Sequence, residues 1–334
     1  MKIGIIGWYG HNNYGDERML YCIKTFFSEH NFFTLGNWED VESKMDEFNK
    51  CDYIFIGGGG IIYRKMDYQL SLVKRFKRPF SLIGVSVEGY HRDMSEFMGF
   101  VKDRAEFILV RDKQSKKYFN NHYKVIVGPD LTFLYPFELS KETKQNTCGF
   151  NLRDWYYWKA AWRGWYDNVM VCLNKKHTQL KKFYPFPKWE PSKVVDIVKK
   201  NFDQVLPVPL YFGSEARNDK DLLLSYFEKT PTSFDPSSYN DIRFLIGMRY
   251  HSLVFAIQYG IPFISLSYQP KNISLLTDLD LKMLSVDIFK SRDLEQKIDY
   301  VKNHYVTIRN HLISYRHQSI DDIRRIFNSI KKVL

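Results

Sequence analysis

The amino-acid sequence predicts an α/β protein with two Rossmann-like, parallel-sheet domains that face a cleft. At 334 residues the chain is longer than one typical domain. Short apolar segments of strand length alternate with helical patterns, which is typical of parallel sheets covered by helices. A polar, unpatterned stretch at residues 138–147 divides the chain. We therefore expect an N-terminal domain over 1–140, a C-terminal domain over 148–310, and a helix over 311–334 that packs back on the first domain.

Five apolar segments predict the sheet of the first domain. They are Lys2–Ile6, Asp52–Ile56, Phe80–Val87, Phe107–Val110 and Lys124–Val127. Four glycines at 57–60 directly follow the second segment. Glycines at the end of a buried strand let backbone N–H groups approach a ligand, or they permit a helix to pack tightly on the strand. Both interpretations stay open, and under the first of them Gly58 and Gly59 bind the ligand.

The loop after the first strand, GWYGHNNYGDE at residues 7–17, is rich in glycine and in hydrogen-bonding side chains. Its glycines do not have the spacing of the dinucleotide-binding fingerprint. Asn13, Asp16 and Glu17 are residue types that cap a helix or occupy its first turn. The same side chains could hydrogen-bond the hydroxyls of a sugar. The sequence leaves capping and ligand binding as alternatives.

The second domain contains a clear βαβ pattern. Two apolar strands, Ile242–Ile246 and Phe263–Tyr268, flank a short apolar helix, so both strands are expected to be parallel and buried. This pattern places Arg249 and His251 at the carboxyl end of the first strand, beside the helix N-terminus. Lys271 follows the second strand at the same edge of the sheet, where open α/β sheets bind ligands. Three potentially cationic groups beside a helix N-terminus favour a small, multiply charged anion.

A structural role has to be weighed for each of these cations. A single arginine or histidine is usually a surface residue or a satisfied core residue, but their joint position at one sheet edge favours a site. Arg153 ends the strand-like segment Cys148–Leu152 and would reach the same cleft, with a surface ion pair as the alternative. Glycine-rich loops in one domain and cations in the other form the layout of GT-B-like transferases that use an anionic donor.

Composition narrows the choice of partners. The formal net charge of +11 indicates an anionic partner, namely a phosphate-bearing substrate, an anionic membrane surface or nucleic acid. Nucleic acid is the weakest of these, because no zinc finger, RNP-type sequence or basic helix with a dimerisation heptad is present. The four cysteines lack paired zinc spacing, and we expect no metal site. No apolar run is long enough for a membrane span and no signal-peptide layout opens the chain, so we expect a cytoplasmic protein.

An aromatic and basic region follows Arg153. Four tryptophans share one helical face: Trp155, Trp158, Trp162 and Trp165. A basic loop that is interrupted by prolines follows at 175–193. Such a stripe can be core, a domain interface, a platform for sugar rings or a belt at lipid headgroups. Together with the basic loop it leaves open a peripheral contact with the inner face of an anionic membrane.

Several motifs together resemble the polysaccharide pyruvyl transferase family. The strongest is Met-Arg-x-His-Ser at 248–252, followed by Gly-Ile-Pro at 260–262 and Ser-Tyr-x-Pro-Lys at 267–271. Weaker matches are Gly-x-x-Asn-x-Gly-Asp-Glu at 10–17, the glycine run at 57–60, Arg-Asp-x-x-Ser at 111–115 and Asn-Leu-Arg at 151–153. The resemblance thus extends over most of the chain.

This resemblance implies a specific reaction. The donor would be phosphoenolpyruvate, with no other cofactor, and the acceptor would be a sugar of a cell-surface polysaccharide or of its lipid-linked precursor. The pyruvyl group would bridge two sugar hydroxyls as a ketal. Arg249 and Arg153 would hold the donor's carboxylate and phosphate together with Lys271, and His251 would be the general acid.

The same resemblance adds further substrate-binding candidates from the family motifs: Ser252, Tyr268 and Arg111. The general base for the sugar hydroxyl is not determined, since Asp16, Glu17 and Glu88 are equal candidates. The alternative function is a GT-B-type glycosyltransferase, in which the same cations bind the diphosphate of a nucleotide-activated sugar. A second alternative is a carbohydrate-binding protein without catalytic activity.

Overall fold

The computed structural model describes residues 1–63, 66–88, 94–141, 145–155, 189–214 and 218–334. Two parallel sheets form the framework. The strands of the first sheet are β1 (Lys2–Ile6), β2 (Asn31–Leu35), β3 (Tyr53–Ile62), β4 (Phe80–Val87), β5 (Ile108–Val110) and β6 (Val125–Val127). The strands of the second are β7 (Thr147–Asn151), β8 (Gln204–Pro207), β9 (Phe244–Gly247), β10 (Phe263–Ser267) and β11 (Ser285–Asp287). The predicted α/β fold with two parallel sheets is confirmed.

Both sheets have the same winding. The first has the order β2-β1-β3-β4-β5-β6, and the second has the order β11-β10-β9-β7-β8. In each, the chain starts at an inner strand, adds one neighbour and then crosses to the other side. The strand order therefore reverses between β1 and β3 in the first sheet and between β7 and β9 in the second. Ligands of open α/β sheets bind outside the carboxyl ends of the strands at such switch points.

Helices connect the strands in both halves. In chain order they are α1 (Tyr14–Phe26), α2 (Trp38–Ser43), α3 (Met45–Phe48), α4 (Asp67–Val73), α5 (Ser95–Arg104), α6 (Lys113–Tyr118), α7 (Pro191–Asn201), α8 (Asp219–Leu224), α9 (Tyr250–Tyr259), α10 (Pro270–Asp278), α11 (Leu294–Asn303) and α12 (Tyr305–Lys331). The predicted helix between β9 and β10 is α9. It is buried along its whole length and ends at Gly260, whose left-handed φ of 68° forms the C-terminal cap.

Two features of the first sheet differ from the prediction. The glycines at 57–60 do not follow the strand but lie inside β3, which continues to Ile62. Three of them have positive φ, so they form an irregular stretch of strand that other residues could not adopt without strain. Strand β2 was not expected, because its residues are only partly buried and form the edge of the sheet. An edge strand lacks the continuous apolar run that identifies a buried strand.

One hydrophobic core joins the two sheets. A single cluster of buried side chains includes Ile3 and Phe27 beside the first sheet, and Phe150 and Phe255 beside the second. A separate cluster covers the other face of the first sheet around Phe48. Because one core is continuous between the two sheets, their relative position is set by apolar packing as well as by polar contacts.

Helix α12 contacts both halves of the molecule. At about 1.5 Å per residue, its 27 residues extend over about 40 Å. Near its beginning, Arg309 donates hydrogen bonds to the carbonyls of Gly260 (2.5 Å) and Ser140 (2.7 Å). Near its end, the ring of Phe327 lies 5.2 Å from that of Phe26, on α1. The expected boundary at residue 311 falls inside this continuous helix, which spans the two sheets.

We expect Phe327→Ala to lower the free energy of unfolding by about 3–5 kcal/mol, because this fully buried ring would leave a cavity between α12 and α1. Urea denaturation followed by circular dichroism measures the change. Val333→Ala is the control, since this side chain is 69% exposed and its truncation should change stability by less than about 0.5 kcal/mol. Equal effects of the two substitutions would show that α12 does not stabilise the first half.

Candidate functional site

A cavity of about 640 Å³ lies between the carboxyl ends of the two sheets. The end of β3 and the segments after β1, β2, β3, β4 and β5 form one wall, and the segments after β7, β8, β9 and β10 form the other. Most of the predicted site residues line it: Asn13, Asp16, Gly58, Arg111, Arg153, Arg249, His251, Tyr268 and Lys271. Glu88, named as a candidate base, lines it as well. The cavity therefore lies at the two switch points of the strand order.

Arg249 is fixed by a buried carboxylate. Its Nε and Nη2 donate to the two oxygens of Asp219, each at 2.6 Å, and Asp219 is fully buried. The backbone N–H of Arg249 donates to Asn151 Oδ1 at 2.9 Å. A planar guanidinium that is held by two hydrogen bonds has one orientation. Its remaining N–H groups therefore point in a fixed direction before any ligand binds.

Arg153 and Tyr268 form a second pair at the same edge. Arg153 Nη1 lies 2.9 Å from the Tyr268 hydroxyl, and the ring of Trp155 lies 4.6 Å from that of Tyr268. Burial alone would raise the pKa of Tyr268. The charges of Arg153, Lys271 and Arg249 outweigh burial, so the pKa of this phenol lies below its usual value. The lowered pKa indicates that the electrostatic potential at this end of the cavity is positive.

Lys271 forms an ion pair across the two halves. Its Nζ lies 2.6 Å from Oε1 of Glu88, which follows β4 in the first sheet. Burial opposes ionisation of Glu88, but the charge and hydrogen bond of Lys271, together with Arg153 and Arg111, hold the pKa of its carboxyl below the usual value. A Cβ at Gly60 would collide with this carboxylate. One role of the glycine run is therefore to make room for Glu88.

His251 lies beside a buried carboxylate that sequence reasoning missed. Its Nε2 is 3.4 Å from Oδ2 of Asp130, which also accepts a hydrogen bond from Arg111 at 3.1 Å. The other oxygen of Asp130 accepts from the backbone and hydroxyl of Thr132. Burial would raise the pKa of Asp130, but His251 and Arg111 hold it well below its usual range. Gly15 completes the arrangement, because a Cβ there would collide with the His251 ring.

The three candidate bases have different environments. Asp16 is buried, and that burial raises the pKa of its carboxyl even though His251, Arg111 and Lys271 partly offset it. Its carboxylate accepts a hydrogen bond from Asn13. Glu17 instead accepts a hydrogen bond from the backbone of Gly10 at 2.6 Å and does not line the cavity. Glu88 is paired with Lys271. Asp16 therefore combines a position in the cavity lining with a raised carboxyl pKa, which makes its ionised form a stronger base than an exposed aspartate.

Two further predicted residues lie outside the cavity lining. Ser252 is fully buried, and its hydroxyl donates to the carbonyl of Arg249 at 2.6 Å. It stabilises the turn into α9. Gly59 has a φ of 97°, and a Cβ there would lie 2.9 Å from the Asp16 carboxylate. Like Glu17, both residues lie outside the cavity lining, and direct substrate binding by these three residues stays a prediction.

Sequence reasoning also missed two buried carboxylates that hold lining residues in place, and several residues of the lining itself. Asp219 lies at the first turn of α8, and Asp130 directly follows the carboxyl end of β6, where an acidic residue at a sheet edge is a recognisable signal. An aromatic wall comes from the loops after β1, β2 and β3: Trp8, Trp38 and Tyr63. Trp38 belongs to the connection after β2. Because β2 was not predicted from the sequence, Trp38 could not be placed at the cavity.

Some predictions concern parts of the chain outside the description. The tryptophan stripe beyond Trp155 and the basic loop up to residue 188 fall within 156–188, which the structure does not describe. Among the residues that it does describe, no group of three or more His, Cys, Asp or Glu side chains could hold a metal ion. No helix within the described ranges is long and apolar enough to cross a membrane.

Comparisons with solved structures agree with the fold. A putative UDP-N-acetylglucosamine 2-epimerase from Listeria monocytogenes superposes with a TM-score of 0.57 at 9% identity, over 99% of this chain and 95% of its own. MnaA of S. aureus, solved with UDP, gives the same TM-score at 11% identity, over 99% and 96%. At such identities the likeness concerns the fold alone.

Sequence comparisons identify the family. The amylovoran biosynthesis protein AmsJ of Erwinia amylovora is 20% identical over 313 residues, which cover 83% of this chain and 72% of AmsJ. The profile of the polysaccharide pyruvyl transferases matches residues 13–270, from Asn13 in the loop after β1 to the beginning of α10. This match covers strands β2 to β10 and all of the cationic residues of the cavity except Lys271, which directly follows it. The chain belongs to the polysaccharide pyruvyl transferase family.

Proposed function

We propose that this protein transfers a pyruvyl group from phosphoenolpyruvate to two hydroxyls of a sugar and forms a ketal. The sugar would belong to a cell-surface polysaccharide or to its lipid-linked precursor. The observation that carries the proposal is the convergence of Arg153, Arg249 and Lys271 on one cavity, beside the buried pair of His251 and Asp130. Family membership supplies the reaction class.

The donor's charges match this convergence. Phosphoenolpyruvate carries a carboxylate and a phosphate on adjacent positions of a three-carbon unit. Arg153 and Arg249 provide planar groups for bidentate contacts, and Lys271 provides a point charge between the two halves. Each cation already has a partner in the protein, so a bound anion would share Lys271 with Glu88. This sharing keeps the buried charges compensated both with and without the donor.

We assign the two proton transfers to His251 and Asp16, titratable residues that both line the cavity. The donor's methylene carbon must gain a proton and become a methyl group, and His251 would deliver it, with the carboxylate of Asp130 as the counter-charge 3.4 Å from its Nε2. The adjacent carbon would accept both sugar oxygens, and phosphate would leave. Asp16 would remove a proton from an attacking hydroxyl. In the net reaction one hydroxyl proton ends on the methyl group and the other leaves with phosphate.

A labelled-donor assay tests the proposal. Incubation of the wild-type protein with carbon-labelled phosphoenolpyruvate and an array of glycans with free hydroxyls should give acid-labile label on glycan. We expect His251→Gln to reduce this transfer by about 100-fold or more, because general acid catalysis is lost. His317→Gln, at an exposed position of α12, is the matched control and should retain activity. Transfer from a nucleotide-linked sugar in place of phosphoenolpyruvate would instead favour a glycosyltransferase.

Asp16→Asn should make the protein more stable and less active. Because the pKa of Asp16 is raised in the folded state, its ionised form costs stability at neutral pH, and this cost disappears as the pH falls below the unfolded value. The asparagine variant should therefore unfold at a higher urea concentration at pH 7, and its advantage should shrink toward pH 4. Asp299→Asn, at an exposed position of α11 that does not line the cavity, is the control. A loss of stability at pH 7 would contradict a desolvated Asp16, and full activity would exclude it as the base.

A further inference from the structure

The cavity continues beyond the cations to a differently built end. The residues there come from the loops after β2, β1 and β3, and we call them the aromatic end: Trp8, Asn37, Trp38, Glu39, Tyr63 and Gln69. Arg111, the arginine that the first sheet contributes to the described cavity, lies toward the other side of that sheet, because it follows β5. Four strand spacings of about 4.8 Å separate β2 from β5, which is about 19 Å. The two ends of the cavity can therefore hold different groups at the same time.

The aromatic end has a pre-oriented ring. Trp8 stacks on His11, with ring centroids 3.7 Å apart and planes within 7°. His11 is itself fixed, since its Nε2 lies 3.2 Å from the carbonyl of Gly36. Trp8 nevertheless remains 40% exposed and lines the cavity. One face of the indole is covered by protein, and an exposed ring fixed in this way presents flat apolar surface to a ligand.

A buried polar atom lies at the same end. Gln69 is 7% exposed, and its Oε1 has no hydrogen-bond partner among the residues that the structure describes. Its Nε2 donates to the Tyr63 hydroxyl at 3.1 Å, which fixes the orientation of the amide. A buried, unpaired carbonyl oxygen costs free energy unless a donor reaches it. Gln69 lines the cavity, so a ligand hydroxyl can supply that donor.

The charges at this end favour a neutral ligand. Glu39 is the charged residue among the six, and the lysine and arginine residues that line the described cavity are Arg111, Arg153, Arg249 and Lys271, none of which belongs to the aromatic end. A flat apolar surface with amide and carboxylate acceptors fits the apolar face and the hydroxyls of a pyranose ring. An acidic sugar would meet Glu39 with no compensating lysine or arginine among the described residues of this end.

We propose that the aromatic end is the acceptor subsite and that it binds an uncharged pyranose, with Trp8 stacked on the apolar face of the ring and Gln69 accepting a hydrogen bond from a hydroxyl. The assignment of this site to the acceptor rests on the proposed function, whereas the inference that it binds a sugar does not. Glu88 follows β4, which lies between the strands of the aromatic end and β5 with Arg111, and Asp16 is close enough to His251, Arg111 and Lys271 for their charges to act on its carboxyl. The reacting hydroxyls would then point from the aromatic end toward the donor.

Titrations with monosaccharides test the subsite without any turnover. The probes are the methyl glycosides of glucose, galactose and mannose, and glucuronate as the acidic counterpart, followed by ligand-observed NMR. We expect at least one neutral glycoside to bind saturably, glucuronate to bind at least tenfold more weakly, and Trp8→Ala to weaken binding by about tenfold. Gln69→Leu should weaken binding about fivefold, because it removes the acceptor atom but retains the side-chain volume.

Two controls make the result decisive. Tyr123→Ala removes an aromatic ring that is 82% exposed and outside the cavity, so sugar binding should not change. Affinity for phosphoenolpyruvate, measured on the same variants, should stay within about twofold. Absence of saturable binding by all three neutral glycosides, or equal binding by wild type and both cavity variants, overturns the subsite. Sugar binding that depends on Trp8, without any binding of phosphoenolpyruvate, would keep the subsite and reject the pyruvyl donor.

Discussion

The buried carboxylate of Asp130 is the constraint on which the site depends. Its side chain is 1% exposed, and its partners come from both halves of the molecule: Thr132 and Arg111 from the first, and His251 from the second. A second contact beside it, from Gln258 to the Thr132 hydroxyl at 2.8 Å, joins the same two segments, α9 and the turn after β6. Removing one partner of such a cluster leaves a buried charge uncompensated, which is costly. The position of the imidazole is therefore set by the way the two sheets meet.

Glycines and paired charges make this meeting of the sheets feasible. Gly15 leaves room for the His251 ring, and Gly59 and Gly60 leave room for the carboxylates of Asp16 and Glu88. The cations, in turn, are compensated by Asp219, Glu88 and Asp130. The cavity consequently holds a high density of charge at modest electrostatic cost. An anionic ligand enters a positive potential that the lowered pKa of Tyr268 already reports.

Sequence patterns predicted the buried parts of the fold well. β4 and the unit β9-α9-β10 are continuous apolar segments with clear ends, and such segments report burial directly. The edge strand β2 and the continuation of β3 through four glycines could not be predicted, because edge burial is partial and a glycine run normally ends a strand. The placement of Arg249, His251 and Lys271 at one sheet edge followed from parallel topology alone.

Pairings across the two halves were beyond the reach of the sequence. Glu88 and Lys271 are 183 positions apart, and no local pattern relates them. Asp130 and Asp219 looked like ordinary loop acids, and their importance comes from burial that only tertiary structure reveals. The same holds for Ser252 and Glu17, whose residue types suggested ligand binding but whose groups are used by the neighbouring backbone. Residue type thus indicated candidates for the site, and packing decided which of them line the cavity.

The central claim is that the cavity binds phosphoenolpyruvate as the donor. Calorimetric titration of phosphoenolpyruvate, in parallel with nucleoside diphosphates and UDP-sugars, tests this claim most directly. Arg153→Gln is the informative variant, because Arg153 contacts the Tyr268 hydroxyl, whereas loss of Arg249 would leave the buried Asp219 unpaired. The account predicts saturable binding of phosphoenolpyruvate by the wild type, at least tenfold weaker binding by the variant, and no binding of the nucleotides. Saturable binding of a nucleotide without any binding of phosphoenolpyruvate would contradict it.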